Sequence, residues 1–339
     1  MPDEARDPRS ITRISVITPI QNEAEHIDAF LGDLAAQDFS GELEVLVAEG
    51  GSTDGSLQKL ELAGKRTGLE LTVLVNAAGW VSHGLNLCIQ RATGDLLVRL
   101  DCHSRYPADY LRLCARAAEE TDALAVGGVV VPYGRTPTER AVACAMNSPF
   151  GGIGWTWGSD EAVRRDTDTV TFGAFRPEAF ERAGVFDESL HRNQDDEMML
   201  RIRRAGGRVI LDPTIRVHYT PRGSYRGVFR QYFEYGLWKV PVMLKHRQVL
   251  SARSLAPMAF LASLAVLVPA ATLSQWARVG LVTELAAYAD GGLTFGTRSL
   301  KAHGEPLHLL PRVLAAYPTF HAGYGLGMLR GWLRAARRR

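Results

Sequence analysis

The chain has 339 residues, 46% of them hydrophobic and 22% charged, with a formal net charge of +2. That length buries a sizeable core in one large domain with an appendage, or in two domains. The near-balanced charge excludes a disordered chain and offers no basic excess for a nucleic-acid partner. Cys88, Cys102, Cys114 and Cys144 show neither metal-ligand spacing nor framework density, and read as free thiols of a reducing compartment. Residues 1–10 are polar without an apolar core, and so read as a disordered tail rather than a signal peptide.

In chain order, an apolar strand at 14–19 runs into Gln21-Asn22-Glu23 and then a helix. Ile27, Phe30, Leu31 and Leu34 recur there at i, i+3, i+4 and i+7, one face packing on a sheet. A second strand, 45–48, runs into Glu49-Gly50-Gly51-Ser52-Thr53-Asp54-Gly55. A strand at 71–75, a helix at 81–91 and a strand at 95–100 follow, the last ending on Asp101-Cys102-His103. A helix at 109–120 and a buried strand at 124–131 continue an alternation that argues a mostly parallel α/β sheet covered on both faces. Three strands deliver polar residues at their carboxyl ends, where open α/β sheets bind ligands. The residue types delivered suit a nucleotide and a divalent metal, which points to a nucleotide diphosphate.

Residues 136–168 break the rhythm. Gly151 to Gly158, carrying Trp155 and Trp157, reads either as a plain connection or as a loop closing over substrate with tryptophan on a sugar face. Regular structure resumes at 169–172, followed by a helix near 177–183. The cluster Gln194-Asp195-Asp196-Glu197 opens a helix to 205; helix capping accounts for one or two of its carboxylates better than for three. Strands at 208–211 and 215–219 and a long helix at 225–246 complete an α/β region of residues 11–250.

Residues 251–339 form an apolar helical region. Residues 255–273 carry no charge and approach the length of a bilayer crossing. Residues 279–295 are apolar but include Glu284 and Asp290, and 307–329 show Gly323, Gly325 and Gly327. The chain ends on Arg334, Arg337, Arg338 and Arg339, which fits the cytoplasmic preference of positive charge. We expect membrane association at the cytoplasmic face of a bacterial plasma membrane. The alternative is a soluble helical subdomain in the cytoplasm. The pattern does not separate spanning helices from interfacial ones.

Pro19-Ile20-Gln21-Asn22-Glu23, the turn from Glu49 to Gly55 and Asp101-Cys102-His103, in this order, resemble the hallmarks of the inverting family-2 glycosyltransferases, which have the GT-A fold. Within that family the chain looks most like bacterial exopolysaccharide transferases of the succinoglycan type. The resemblance covers about 14–239 and implies a metal-dependent enzyme. It would move one hexose from a UDP-sugar donor to a saccharide or polyprenyl-linked acceptor. The alternative is a non-catalytic nucleotide-sugar-binding or scaffold protein of the same fold.

Carried over residue by residue, the resemblance places Pro19, Gln21, Glu23, Glu49, Gly51 and Asn76 around the nucleotide. Glu49 stands where the family has an Asp that accepts from the uracil N–H. Ser52, Thr53 and Asp54 read rather as helix capping. Asp101 and His103 replace the usual Asp-x-Asp; the histidine favours a borderline ion and hence Mn²⁺ over Mg²⁺. His218 is a further metal ligand or a packed strand-end histidine. Arg222 is a diphosphate contact or part of a solvated face. Asp195 aligns with the family's catalytic base, and Asp196 is the alternative one residue on. Trp238 matches the family's Gln-x-x-Arg-Trp, whose Arg is missing, so a single addition is expected rather than polymerisation.

Overall fold

The computed structural model describes residues 10–151, 163–249 and 252–337. The chain divides into two compact units, Met1–Val131 with Ser159–Tyr219, and Pro132–Gly158 with Thr220–Arg339. The change of composition near residue 250 falls inside the second unit. The stretch from Gly151 to Gly158, read either as a plain connection or as a closing loop and including Trp155 and Trp157, lies outside the described residues apart from Gly151.

The described strands are β1 (Arg13–Ile20), β2 (Glu42–Glu49), β3 (Glu70–Val75), β4 (Leu96–Arg99), β5 (Ser104–Arg105), β6 (Ala125–Pro132), β7 (Arg165–Asp166), β8 (Ala174–Phe175) and β9 (Val209–Tyr219). They form one sheet in the order β3-β2-β1-β4-β8-β6-β9-β5, with β7 paired to β9. β3, β2, β1 and β4 are parallel. β8 turns the sheet antiparallel against both β4 and β6. The helices of this unit are α1 (Ile27–Ala35), α2 (Ser56–Thr67), α3 (Val81–Arg91), α4 (Tyr110–Glu119), α6 (Pro177–Ala183) and α7 (Gln194–Arg204); α5 (Pro137–Met146) belongs to the second unit.

Val45 to Ala48 and Leu96 to Val98 are buried without alternation, as strands covered on both faces require. Each such Val or Leu contributes about 1.5–3 kcal/mol. Ile27, Phe30, Leu31 and Leu34 are the buried face of α1. One carboxylate joins this core. Glu44 accepts from the Ser15 hydroxyl and from Thr93 N–H (2.7 Å) and Oγ1 (2.9 Å), tying β1 and β2 to the turn before β4. Burial alone would raise its pKa, but these hydrogen bonds and Arg13 outweigh that and hold it below the usual glutamate value.

The structure departs from the expected elements at two places. Residues 169–172 are not a strand: Phe172 sits at φ +54, which breaks β geometry, although Val170 and Phe172 are buried. The two strands expected at 208–211 and 215–219 are one, β9. Asp212 accepts from Thr214 N–H (2.9 Å) and Arg164 Nε (2.9 Å), so the Asp-Pro-Thr step is satisfied inside the strand.

The second unit holds α5, α8 (Tyr225–His246), a 3-10 turn (Ala252–Leu255), α9 (Ala256–Ala270), α10 (Gln275–Ala302) and α11 (Leu310–Ala336). Its centre is the α8–α11 pair. A Cβ at Gly323, Gly327 or Gly331 would press on the carbonyls of Phe229, Phe233 or Leu237, and one at Gly236 on that of Tyr324. The contact positions ascend together, so the two helices run the same way, backbone against backbone. α5 opens with a capping box between Thr136 and Glu139 and is held to the turn after α10 by Arg140–Glu305 (Nε to Oε2, 2.8 Å). Among the described residues, Ala252–Ala270 is the one stretch long and apolar enough to cross a membrane, and 11% of it is buried.

Candidate active site

The loops after β1, β2 and β3 interlock at the carboxyl edge of the sheet. Asn22 N–H donates to Ser52 Oγ (2.9 Å), Thr53 N–H to Asn22 Oδ1 (2.9 Å), Glu23 N–H to Ser56 Oγ (2.9 Å) and Ala24 N–H to Asp54 Oδ2 (3.0 Å). Gln21 Nε2 donates to the Gly50 carbonyl (2.8 Å). Ser52, Thr53 and Asp54 therefore knit two loops together, and Asp54 also takes Ser56 N–H (3.0 Å) at the start of α2. Gly51 at φ +77 and Asn22 at φ +56 adopt the left-handed backbone these tight returns need.

Glu49 folds back on its own turn, accepting from the N–H groups of Gly51 (3.0 Å) and Ser52 (2.6 Å). Burial would push its carboxyl up; the Ser52 and Gly51 hydrogen bonds prevail and hold it below the usual value. Asn76 is buried, its Nδ2 on the Trp80 carbonyl (3.0 Å). Gly84 of α3 packs so closely that an added Cβ would meet Ala48, Asn76 and Pro19. Pro19, Gln21, Glu49, Gly51 and Asn76 thus lie at the carboxyl ends of β1, β2 and β3 or on the loops that follow them.

β4 ends in the most charged part of the site. Arg99, buried within the strand, pairs with both Asp195 and Asp101, the latter at 3.3 Å. Asp195 lies 96 positions downstream, at the start of α7. Burial pushes the Asp195 carboxyl up, Arg99 pulls it down and Asp101 and Asp196 push it up again; the balance lies above the usual aspartate value. Its side chain keeps 24% of its exposure, so it faces solvent while bonded on one side. The neighbouring carboxylates point elsewhere. Asp196 accepts from Thr169 Oγ1 (2.9 Å), and fully buried Glu197 holds Arg201 (2.9 and 3.0 Å). Asp195 is joined to Arg99, and through it to Asp101.

His103 Nδ1 meets Glu23 Oε1 at 3.0 Å, and the Asp101 backbone is pinned by Tyr106, whose oxygen accepts from Asp101 N–H (2.8 Å). A histidine with one ring nitrogen held by a carboxylate is oriented to present the other to a metal. Asp101 and His103 are therefore a donor pair whose chemistry fits a borderline divalent ion. His218 sits opposite Arg105 in the β5–β9 pairing, and its successor Tyr219 edges against His103 at a ring separation of 6.3 Å. Burial, then Arg216 and Arg105, push the His218 imidazole below its ordinary pKa. Among the described residues, no set of three His, Cys, Asp or Glu side chains is spaced to hold a metal. Arg222, exposed just ahead of α8, and Trp238, half-buried on α8, belong to the second unit.

Arg99 is the residue that sequence reasoning missed. A cation inside the apolar run Leu96-Leu97-Val98-Arg99-Leu100 was the available signal, since a buried charge requires partners.

The profile described as "Glycosyl transferase family 2" matches residues 15–185. The succinoglycan biosynthesis protein ExoA of Rhizobium meliloti (strain 1021) is 32% identical over 260 residues, 75% of this chain and 77% of that protein. Among solved structures, the mannosyltransferase PcManGT from Pyrobaculum calidifontis, in complex with GDP-Man and Mn²⁺, is similar with a TM-score of 0.61 at 22% identity, covering 98% of this chain and 90% of that one. S. aureus TarS 1-349 in complex with UDP-GlcNAc is similar with a TM-score of 0.52 at 15% identity, covering 95% and 92%.

Proposed function

The chain belongs to glycosyl transferase family 2, and on that premise we propose that it moves one hexose from a UDP-sugar to a saccharide or lipid-linked acceptor, with inversion, in exopolysaccharide-type synthesis. The observation that carries the reading is the Asp195–Arg99–Asp101 cluster at the carboxyl edge of the sheet. The exopolysaccharide assignment draws on the relative's name and its identity over most of both chains.

Asp195 is the proposed base. Its elevated pKa makes it a better proton acceptor than an ordinary carboxylate. It takes the proton of the acceptor hydroxyl as that oxygen bonds to the anomeric carbon. The bond from that carbon to the diphosphate breaks, and its electron pair leaves on the nucleotide. One displacement from behind inverts the centre. Arg99 holds Asp195 by one side, so the other oxygen is aimed by a fixed, buried cation. Asp101 and His103 would hold a divalent ion, which would take up charge on the departing diphosphate. The three clasped loops position the nucleotide, with Gln21, Glu49 and Asn76 nearest the base.

The test is UDP release from a panel of UDP-sugars, with GDP-mannose as a control, in Mn²⁺, Mg²⁺ or chelator, for wild type and Asp195→Asn. We expect turnover with one UDP-sugar, lost on chelation and reduced by at least about 100-fold in the variant. Turnover that survives Asp195→Asn would overturn the assignment of the base. Preference for GDP-mannose would overturn that of the donor.

A further inference from the structure

We propose that α9 and α10 form a hairpin that lies in the interface of a single anionic membrane leaflet without crossing it. This rests on the lipid-linked acceptor of the proposed function and concerns how the chain meets the bilayer.

α9 and the first half of α10 pack on each other, antiparallel. Phe260 stacks on Tyr288 (4.7 Å between rings), Ser263 bonds Glu284, and a Cβ at Gly280 would meet Leu267. The outer surface is largely apolar and unpartnered among the described residues. Leu273 at the tip is 91% exposed and Trp276 76%, with Val266, Val268, Val279, Val282 and Leu285 exposed along the arms. α9 is apolar on every side, and the Glu284 carboxylate in the return arm is turned onto Ser263. A charge satisfied inside the hairpin is what a lipid-facing helix pair requires.

Length and anchoring decide between crossing and lying in one leaflet. Ala252–Ala270 as a whole is long enough to cross, but its first turns are held in the unit, where Ser254 and Pro257 are buried, which leaves residues 258–270, about 20 Å of helix, against a hydrocarbon core of about 30 Å. Pro257 meets α11 at Gly325. The return arm is fixed as well, through Gly291 on Phe150 and Gly296 on Val313. Both arms therefore leave from and return to one body. The tip, Thr272 to Arg278, includes Ser274, Gln275, Trp276 and Arg278, which are costly at the bilayer midplane and at home among headgroups. Charge complementarity names the leaflet. The free face of α11 carries Leu326, Leu329, Trp332 and Leu333 beside exposed Arg330, Arg334 and Arg337, the composition of an interfacial helix on anionic lipid.

The experiment is flotation of the full chain with vesicles of phosphatidylcholine alone or mixed with phosphatidylglycerol. We expect binding to the mixed vesicles. Leu273→Glu with Trp276→Glu should weaken it about 100-fold, roughly tenfold per side chain. Replacing Arg330, Arg334 and Arg337 by Gln should cost roughly fivefold each on the mixed vesicles and little on the neutral ones. The tip residues are exposed, so the helical circular-dichroism signal and UDP release without acceptor should not change; loss of turnover with intact flotation would count against the chemistry, not the docking. A nitrobenzoxadiazole label on Leu273→Cys, selective because all four native thiols are buried, reads the topology. Brightening on vesicles with complete bleaching by external dithionite is the expected result. Protection until the vesicles are lysed would show a crossing hairpin. Absence of flotation, with the chain eluting as a dimer, would assign the apolar face to a second copy. Either outcome overturns the proposal.

Discussion

Arg99 carries more of the site than its position in the sequence suggests. It is buried and neutralises two carboxylates that would otherwise face each other. Removing one member of a buried charge group costs about 3–5 kcal/mol. Arg99→Gln should therefore lower both melting temperature and turnover, the latter by about 100-fold or more. It should also move the acid limb of the pH–rate profile. Arg99 is the group that lowers the Asp195 pKa, so its loss raises that pKa further, and the base is deprotonated only at higher pH. An acid limb unchanged in the variant would separate Asp195 from the rate. For the proposed metal pair, His103→Asp gives an all-oxygen set and should shift the expected preference from Mn²⁺ toward Mg²⁺; an unchanged Mn²⁺ to Mg²⁺ ratio of activities would remove His103 from the site.

At the scale of elements, Glu44 shows how a polar side chain becomes part of a sheet. Its folded-state pKa is depressed, so its contribution is complete above the unfolded value of about 4.3 and fades as pH falls through the folded value. Glu44→Gln should cost about 1–3 kcal/mol at pH 7 and flatten the acid limb of a pH–stability curve followed by urea melts. The βα alternation and the long helix after β9 were legible because periodicity and burial agree there. The irregular 169–172 was not, because positive φ at Phe172 leaves no trace in hydrophobic pattern. The single strand β9 was hidden by Pro213, whose penalty is absorbed by hydrogen bonds to Asp212 from Thr214 and Arg164. The loop residues of the site were legible as a motif. Their mutual clasp was not, since it joins main-chain N–H groups to side chains thirty positions away.

At the scale of the molecule, the second unit is threaded by two separate stretches of chain, and α8 is buried largely by α11. Ending the chain at Arg247 would expose Val240 together with the backbone at Gly236. Such a truncation should be recovered as aggregate rather than as a separable catalytic domain. Monodisperse truncated protein with UDP release would contradict this. The glycine contacts between α8 and α11 have a practical consequence as well. Helices that touch through main chain cohere by dispersion at short range, which does not depend on water being squeezed out. Surfactants loosen proteins by solvating the apolar side chains between elements, and at the four glycines of this seam there is no side chain to solvate. The pair should therefore keep its register in mild micelles, leaving this scaffold intact under detergent.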